Sequence, residues 1–322
     1  PTATALGPAG ATMTQPRFES CLAEDLTAFI AFKRALGITY EVAESRLGSF
    51  DRYVKAHAPR RGALPFDRLV RGWLVRDGRR KPITVAGQLT MLRQFFLFRR
   101  RRDPAGYVPP FGLAPCNRSH FEPHVLSPAD VRAMLAAADD LRGPPPRAQT
   151  YRTLVLILYC TGLRLGEAVR LHLQDVDLAE RVFHVRKSKG KTRLVPFGPD
   201  LARALRKYLR VRPTPTTPHE RFLLQPDGRA YPTQSASQTL RHLFQRVGLK
   251  PAKGREGPRP TDFRHTFAVH RLTRWYRGGV DLHARLPWLS AYMGHKDLAG
   301  TQVYLTATPE LLATASRRFE GR

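Results

Sequence analysis

The chain has 322 residues, enough for two domains that each bury their own core, and carries 54 lysines and arginines against 26 acidic residues, a formal charge of +28. So basic a balance excludes an ordinary near-neutral enzyme and points to a polyanionic partner; a membrane partner is disfavoured because no apolar run approaches the roughly 18 residues of a spanning helix. The three cysteines, Cys21, Cys116 and Cys160, are far apart and show no zinc-ligand spacing, which excludes a disulfide framework and predicts reduced thiols.

Residues 1–16 are small, polar and Pro/Gly-containing, so a flexible N-terminus is predicted; they lack the basic start and apolar core of a signal peptide. Over 18–36, Phe18, Leu22, Leu26, Phe29, Ile30 and Leu36 fall on one helical stripe. A second helix is predicted over 41–57, ended by Pro59, and a third over 66–75 with Trp73 inward. A fourth, over 84–98, carries Leu89, Leu92, Phe95 and Phe96 and runs into Arg99, Arg100, Arg101 and Arg102, which are assigned to phosphate contact. The prolines of 104–125 and the loss of periodicity there mark a linker. Ser127-Pro128-Ala129-Asp130 then has an N-cap, a proline at the first helical position and an acid at the third, so a helix is predicted to 141. An apolar helix follows over 151–160, Gly162 is a left-handed turn residue, and a short helix spans 166–171. Alternation over 181–197 predicts a β-hairpin with Lys187-Ser188-Lys189-Gly190-Lys191 at its tip. Helices return at 199–211, 233–247, 265–277, 282–293 and 297–305, and 309–319 is an amphipathic tail.

Three stretches carry the chemistry. They are Thr161-Gly162-Leu163-Arg164-Leu165-Gly166-Glu167, then Thr261-Asp262-Phe263-Arg264-His265-Thr266-Phe267-Ala268, then Gly294-His295 followed at Tyr304 by a tyrosine. A His and a Tyr nine residues apart are a weak signal alone; behind two arginine boxes, in this order, they resemble the tyrosine recombinase (phage integrase) family. The resemblance covers roughly 125–308. It implies a mainly α fold with a small β-sheet: a helical core-binding (SAM-like) domain at 17–103, a linker at 104–125 that lets the domains close on duplex DNA as a clamp, a catalytic domain at 126–308, and a tail at 309–322 for contact between protomers.

A phosphodiester repels nucleophiles and gathers charge on its non-bridging oxygens in the transition state, so two arginine forks converging on one phosphate are the minimum arrangement for metal-free attack. Arg164 and Arg264 are the candidates, with Tyr304 the nucleophile and His295 a phosphate ligand or proton acceptor. The resemblance assigns Glu167 to fixing the first arginine and a hairpin lysine to protonating the leaving 5′-oxygen. Family tips read Lys-x-Gly-Lys-x-Arg before Val-Pro, which aligns Lys191 and Arg193; the general acid then falls on Ser188, or on Lys189 if the tip is one residue shorter, with Lys187 the second choice. Lys187, Lys191 and Arg193 are assigned to DNA contact. The second box departs from the family's His-x-x-Arg: Thr261 stands at the His position among the catalytic candidates, and His265 is the neighbour able to compensate. Trp275-Tyr276-Arg277-Gly278-Gly279 resembles an insertion.

The resulting expectation is a site-specific recombinase that cleaves and rejoins DNA through a 3′-phosphotyrosine, in integration, transposition or excision of mobile DNA. It needs no metal, ATP or other cofactor. The resemblance further implies double-stranded DNA with paired recombinase arms as partner, a homotetramer on synapsed duplexes, accessory proteins, no membrane, and a cytoplasmic, nucleoid-associated location. Two alternatives stay open: a type IB topoisomerase-like enzyme, and a catalytically impaired, sequence-specific DNA-binding regulator.

Overall fold

The computed structural model describes residues 18–306 except 60–63, 79, 116–123, 189–190, 217–219, 255, 296 and 298; for 187, 188, 191, 299, 303, 305 and 306 it describes the backbone alone. The chain divides into two compact units, Pro1–His120 and Phe121–Arg322.

In the first unit α1 (Ala23–Ala35), α2 (Glu41–His57), α3 (Phe66–Val75) and α4 (Pro82–Arg99) enclose a core rich in aromatic rings, with Phe29, Phe50, Trp73, Phe95 and Phe96 fully buried. Helix α1 starts later than its apolar stripe predicts. Phe18 and Leu22 do pack on the core, but the backbone N–H groups of Glu19 and Ser20 donate to the carboxylate of Asp51 on α2 (2.7 and 3.1 Å). A side chain distant in sequence thus takes the donors that a longer helix would use.

The arginine run after α4 is partly engaged within this unit. Arg99 Nε donates to Asp25 (2.6 Å) and its guanidinium lies 4.9 Å from the centre of the Phe66 ring. Arg101 lies over Phe32, and Arg100 donates to the Pro104 carbonyl. Arg100, Arg101 and Arg102 nonetheless remain exposed. The proline-rich stretch also differs from a free linker over its first half. Tyr107, Val108, Leu113 and Ala114 pack on the core, Tyr107 donates to Asp67 (3.1 Å), and a 3₁₀ turn, Phe111–Leu113, sits beneath Arg93. Isolated aromatic and proline contacts of this kind leave no periodic trace in a sequence.

The second unit is built on α6 (Arg147–Thr161), whose Thr150, Tyr151, Thr153, Leu154, Val155, Ile157, Leu158 and Thr161 are all buried. Around it pack α5 (Pro128–Asp139), α8 (Pro199–Leu209) and α10 (Asp262–Arg277); α7 (Leu165–Arg170) follows α6 and packs on α9 (Thr233–Arg246). The Ser127 cap forms as predicted: its hydroxyl accepts from Asp130 N (3.1 Å), and Asp130 accepts from Ser127 N (2.8 Å). The hairpin is present as β2 (Val182–Ser188) and β3 (Lys191–Pro196), antiparallel, with Phe183 opposite Val195 on the buried face. A third strand, β1 (Val176–Asp177), extends the sheet in the order β1-β2-β3. Its two residues are too few to show an alternation.

A smaller apolar cluster joins α10 to α11 (Leu282–Met293) and α12 (Ala299–Thr306) through Phe267, Ala268, Leu272, Leu286, Leu289, Met293 and Tyr304. Helix α10 begins at Asp262, three residues before the predicted start, because the Asp262 carboxylate accepts the Arg259 N–H (2.6 Å) and closes the entering turn. Its far end absorbs Trp275-Tyr276-Arg277, so the stretch resembling an insertion lengthens this helix. Among the described residues no helix is long and apolar enough to cross a membrane.

Candidate active site

Two helix ends create the floor of the site. Gly162 ends α6 at φ +62° and Gly294 ends α11 at φ +66°, both in the left-handed region that disfavours side chains. Space is short as well: a Cβ on Gly162 would lie 2.7 Å from the Phe267 ring, and one on Gly294 would lie 3.0 Å from Arg193. The turns leave carbonyls pointing inward. Arg264, in the first turn of α10 and 4% exposed, donates Nη1 to Gly162 O (2.9 Å) and Nη2 to Met293 O. Arg164, capping α7, donates Nη2 to the adjacent Gly294 O (3.4 Å). The two forks are therefore held side by side by neighbouring carbonyls of one turn, and each guanidinium, with five N–H groups, has more donors than these carbonyls take up.

Glu167 binds this pair to a third arginine. Its side chain is 2% exposed and accepts from Arg164 Nη1 (2.8 Å), Arg164 N (3.0 Å), Arg193 Nη1 (3.2 Å) and Arg193 Nη2 (2.8 Å). Arg193 also donates Nε to the Tyr292 carbonyl (2.9 Å). The sequence groups Arg193 with hairpin residues that touch DNA; its guanidinium is instead turned inward, 10% exposed, against Glu167. Three guanidiniums against one carboxylate leave an excess of two positive charges around a partly buried floor. Burial, then the nearby Arg164 charge, lowers Arg264 to about 10, so it stays protonated near neutral pH and gains from any anion placed beside it.

Tyr304, on α12, is 3% exposed and reaches this floor. Burial raises its pKa, and the charges of Arg264 and Arg164 with a hydrogen bond from Arg264 oppose that rise by favouring the phenolate. Two imidazoles flank it. His265 Nδ1 lies 3.1 Å from Tyr304 Oη, and its Nε2 faces Asp262 Oδ1 at 3.8 Å. The His295 ring is stacked beside the tyrosine ring, centroids 6.2 Å apart, and its Nδ1 pairs with the fully buried Thr301 hydroxyl (2.7 Å). Burial and then the Arg264 and Arg164 charges lower His295 to about 4. A neutral imidazole with Nδ1 engaged presents Nε2 as its remaining polar group.

The structure therefore brings together Arg164, Glu167, Arg264, His265, His295 and Tyr304. Thr261 is not among them. Because α10 starts at Asp262, Thr261 occupies the N-cap and is exposed, its hydroxyl makes no capping bond, and the residue one turn on, His265, faces the tyrosine. Lys189 lies outside the described residues, as do the side chains of Lys187 and Lys191. Sequence reasoning missed Thr301, Asp262 and the inward role of Arg193. A threonine six residues after His295 carries no motif, but the Asp262-Phe263-Arg264-His265 run could have shown that an acid and an imidazole, three apart, share a helix face.

Residues 124–310 match the Phage integrase family. Over 304 residues the chain is 34% identical to "Putative integrase/recombinase y4rB" of Sinorhizobium fredii, covering 91% of this chain and 95% of that one. It is 32% identical over 228 residues to tyrosine recombinase XerA of Thermococcus kodakarensis, covering 70% and 72%. Among solved structures, the Tn1549 transposon integrase in complex with transposon right-end DNA superposes with a TM-score of 0.66 at 18% identity, over 92% of this chain and 99% of that one. XerH recombinase bound to a palindromic difH substrate superposes with a TM-score of 0.67 at 17% identity, over 92% and 85%. The chain belongs to the phage integrase family: it is a tyrosine recombinase, an enzyme of site-specific DNA recombination.

Proposed function

We propose that Tyr304 attacks a DNA phosphodiester seated on Arg164, Arg264 and His295, forming a 3′-phosphotyrosine and releasing a 5′-hydroxyl. The observation that carries this reading is the convergence of Arg164, Arg264, His295 and Tyr304, from four separate chain segments, on one positively charged floor. As the Oη–P bond forms and the P–O5′ bond breaks, charge builds on the non-bridging oxygens, where the two forks and His295 Nε2 donate. Glu167 aligns Arg164 and Arg193; Arg193 is a positioning residue that holds the end of α11 through the Tyr292 carbonyl. Lys189 is the general acid for the 5′-oxygen, with Lys187 the alternative. Arg100, Arg101 and Arg102, which are exposed, contact the DNA backbone together with Lys187 and Lys191, and Thr261, exposed at the N-cap of α10, takes no part in the chemistry.

The substrate is mobile DNA with paired recognition arms, held by both units and recombined by four protomers on two duplexes within the cytoplasm. An apolar groove of about 500 Å³ lined by Leu194, Phe267, Trp275, Trp288, Leu289 and Tyr292, with Trp288 69% exposed, suits the amphipathic 309–319 stretch of a neighbouring copy. The test is a pool of duplexes, randomised around a nick placed so that the cleaved fragment diffuses away. Wild type should give an SDS-resistant adduct in EDTA, and Tyr304→Phe should bind the recovered sequences without forming one. An absolute magnesium requirement overturns the mechanism; binding without any adduct leaves the DNA-binding regulator.

A further inference from the structure

The attack by Tyr304 needs a base for its phenolic proton, and the position at which the family carries a histidine in the second arginine box is occupied by the exposed hydroxyl of Thr261. A threonine hydroxyl does not accept a proton near neutral pH. Among the described residues, Arg264, Arg164, His265 and His295 lie about Tyr304, and the Asp262 charge acts on it from behind His265. Arg264 and Arg164 are cations and have no acceptor. His295 has its Nδ1 committed to Thr301 (2.7 Å), which leaves Nε2 for the phosphate. His265 presents Nδ1 to Oη at 3.1 Å. On its other side, Asp262 Oδ1 is buried without a hydrogen bond, with Arg259 Nη2 at 3.5 Å and His265 Nε2 at 3.8 Å. A carboxylate facing Nε2 favours the tautomer that carries its proton there and leaves Nδ1 as the acceptor.

We infer that His265 is the general base of strand cleavage and that Asp262 is its positioning residue, the pair replacing in this chain the histidine absent at position 261. The inference rests on the reading of Tyr304 as nucleophile. In cleavage the Tyr304 proton passes to His265 Nδ1 while the Oη lone pair forms the bond to phosphorus. The P–O5′ pair leaves on the 5′-oxygen, which takes its proton from the hairpin acid. His265 becomes an imidazolium beside Asp262. In rejoining, the 5′-hydroxyl returns its proton to the hairpin group as its oxygen bonds to phosphorus, the phosphotyrosine P–Oη bond breaks, and His265 gives its proton back to Oη.

Among the described residues, the charged and titratable groups that act on His265 include Asp262 and Arg264 on its own helix, Arg259 on the preceding loop and Tyr304 on α12. Burial lowers the His265 pKa, the Arg259 and Arg264 charges push the same way and Asp262 opposes them, so the imidazole is neutral, and competent as a base, at neutral pH.

The test is single-turnover adduct formation by the full chain on a nicked duplex recovered as above, measured against pH. His265→Asn keeps an acceptor near the Nδ1 position but holds no proton; it should bind DNA normally, lose about 10²–10⁴-fold in rate and lose the acid limb of the profile. A 5′-bridging sulfur, which relieves only the leaving group, should not restore it, whereas exogenous imidazole should partly restore His265→Ala. Asp262→Asn should move the acid limb to lower pH. If His265→Asn keeps the wild-type rate and acid limb, or if the bridging sulfur restores it, the inference is overturned while the adduct leaves Tyr304 standing as nucleophile. If both His265 variants fold poorly, an acid limb that Asp262→Asn does not move overturns it equally. Absence of an adduct in wild type overturns the nucleophile reading and this inference together.

Discussion

Removing the Glu167 carboxylate tests whether one buried acid holds the arginine floor. Glu167→Ala deletes four hydrogen bonds and leaves Arg193, 10% exposed, and part of Arg164 without their counter-charge. Breaking a buried ion pair by removing one partner costs about 3–5 kcal/mol. For a unit of this size each kcal/mol moves the midpoint by about 2–4 °C, so thermal unfolding of the catalytic unit should fall by about 6–20 °C. Glu167→Gln keeps the shape but turns an N–H toward a guanidinium, and should cost about 1–3 kcal/mol. Both variants free Arg164 from its geometry, so adduct formation should drop by about 10²–10³-fold even where the protein remains folded. A double-mutant cycle with Arg193→Ala isolates the pair: coupling of about 1.5 kcal/mol or more is expected. A Glu167→Gln protein that melts and cleaves like wild type, or a cycle with no coupling, refutes the reasoning.

Gly294→Ala places a Cβ at φ +66° and 3.0 Å from Arg193; it should cost about 1–2 kcal/mol, seen as a lower urea midpoint, and slow cleavage by loosening the carbonyls that hold both forks. Thr301→Val removes the hydroxyl that orients His295 without changing the buried volume, and should lower the adduct rate about tenfold while leaving DNA affinity intact in a gel-shift titration. The folded-state pKa of His295, about 4, lies below its ordinary 6.5. The unfolded chain therefore binds its proton first, and the stability this group contributes is full above 6.5 and lost as pH falls through 4. Unfolding midpoints should decline across that window, and His295→Gln should flatten the decline. DNA binding should weaken steeply between about 50 and 200 mM salt, and a flat response would contradict the basic surface as the binding face.

The sequence by itself determined the helical elements and singled out the residues proposed as the reacting groups. Periodicity and chain breakers fixed α2, α3 and α11 to the residue, because an apolar stripe three to four residues apart, ended by Pro or Gly, is a local property. The two arginine boxes, His295 and Tyr304 were legible because their residue types and order belong to one chemistry. Only the tertiary structure decided which groups hold which. Glu167 and Arg193 are 26 residues apart, His265 and Tyr304 are 39 apart, and Arg193 and the Tyr292 carbonyl are 99 apart. Asp51 shortened α1, Asp25 drew in Arg99, and an early start to α10 moved Thr261 out to the surface and turned His265 onto Tyr304. Helices follow from neighbours along the chain, but an ion pair or a proton path follows from which helix ends meet, and that is set by packing of the whole core.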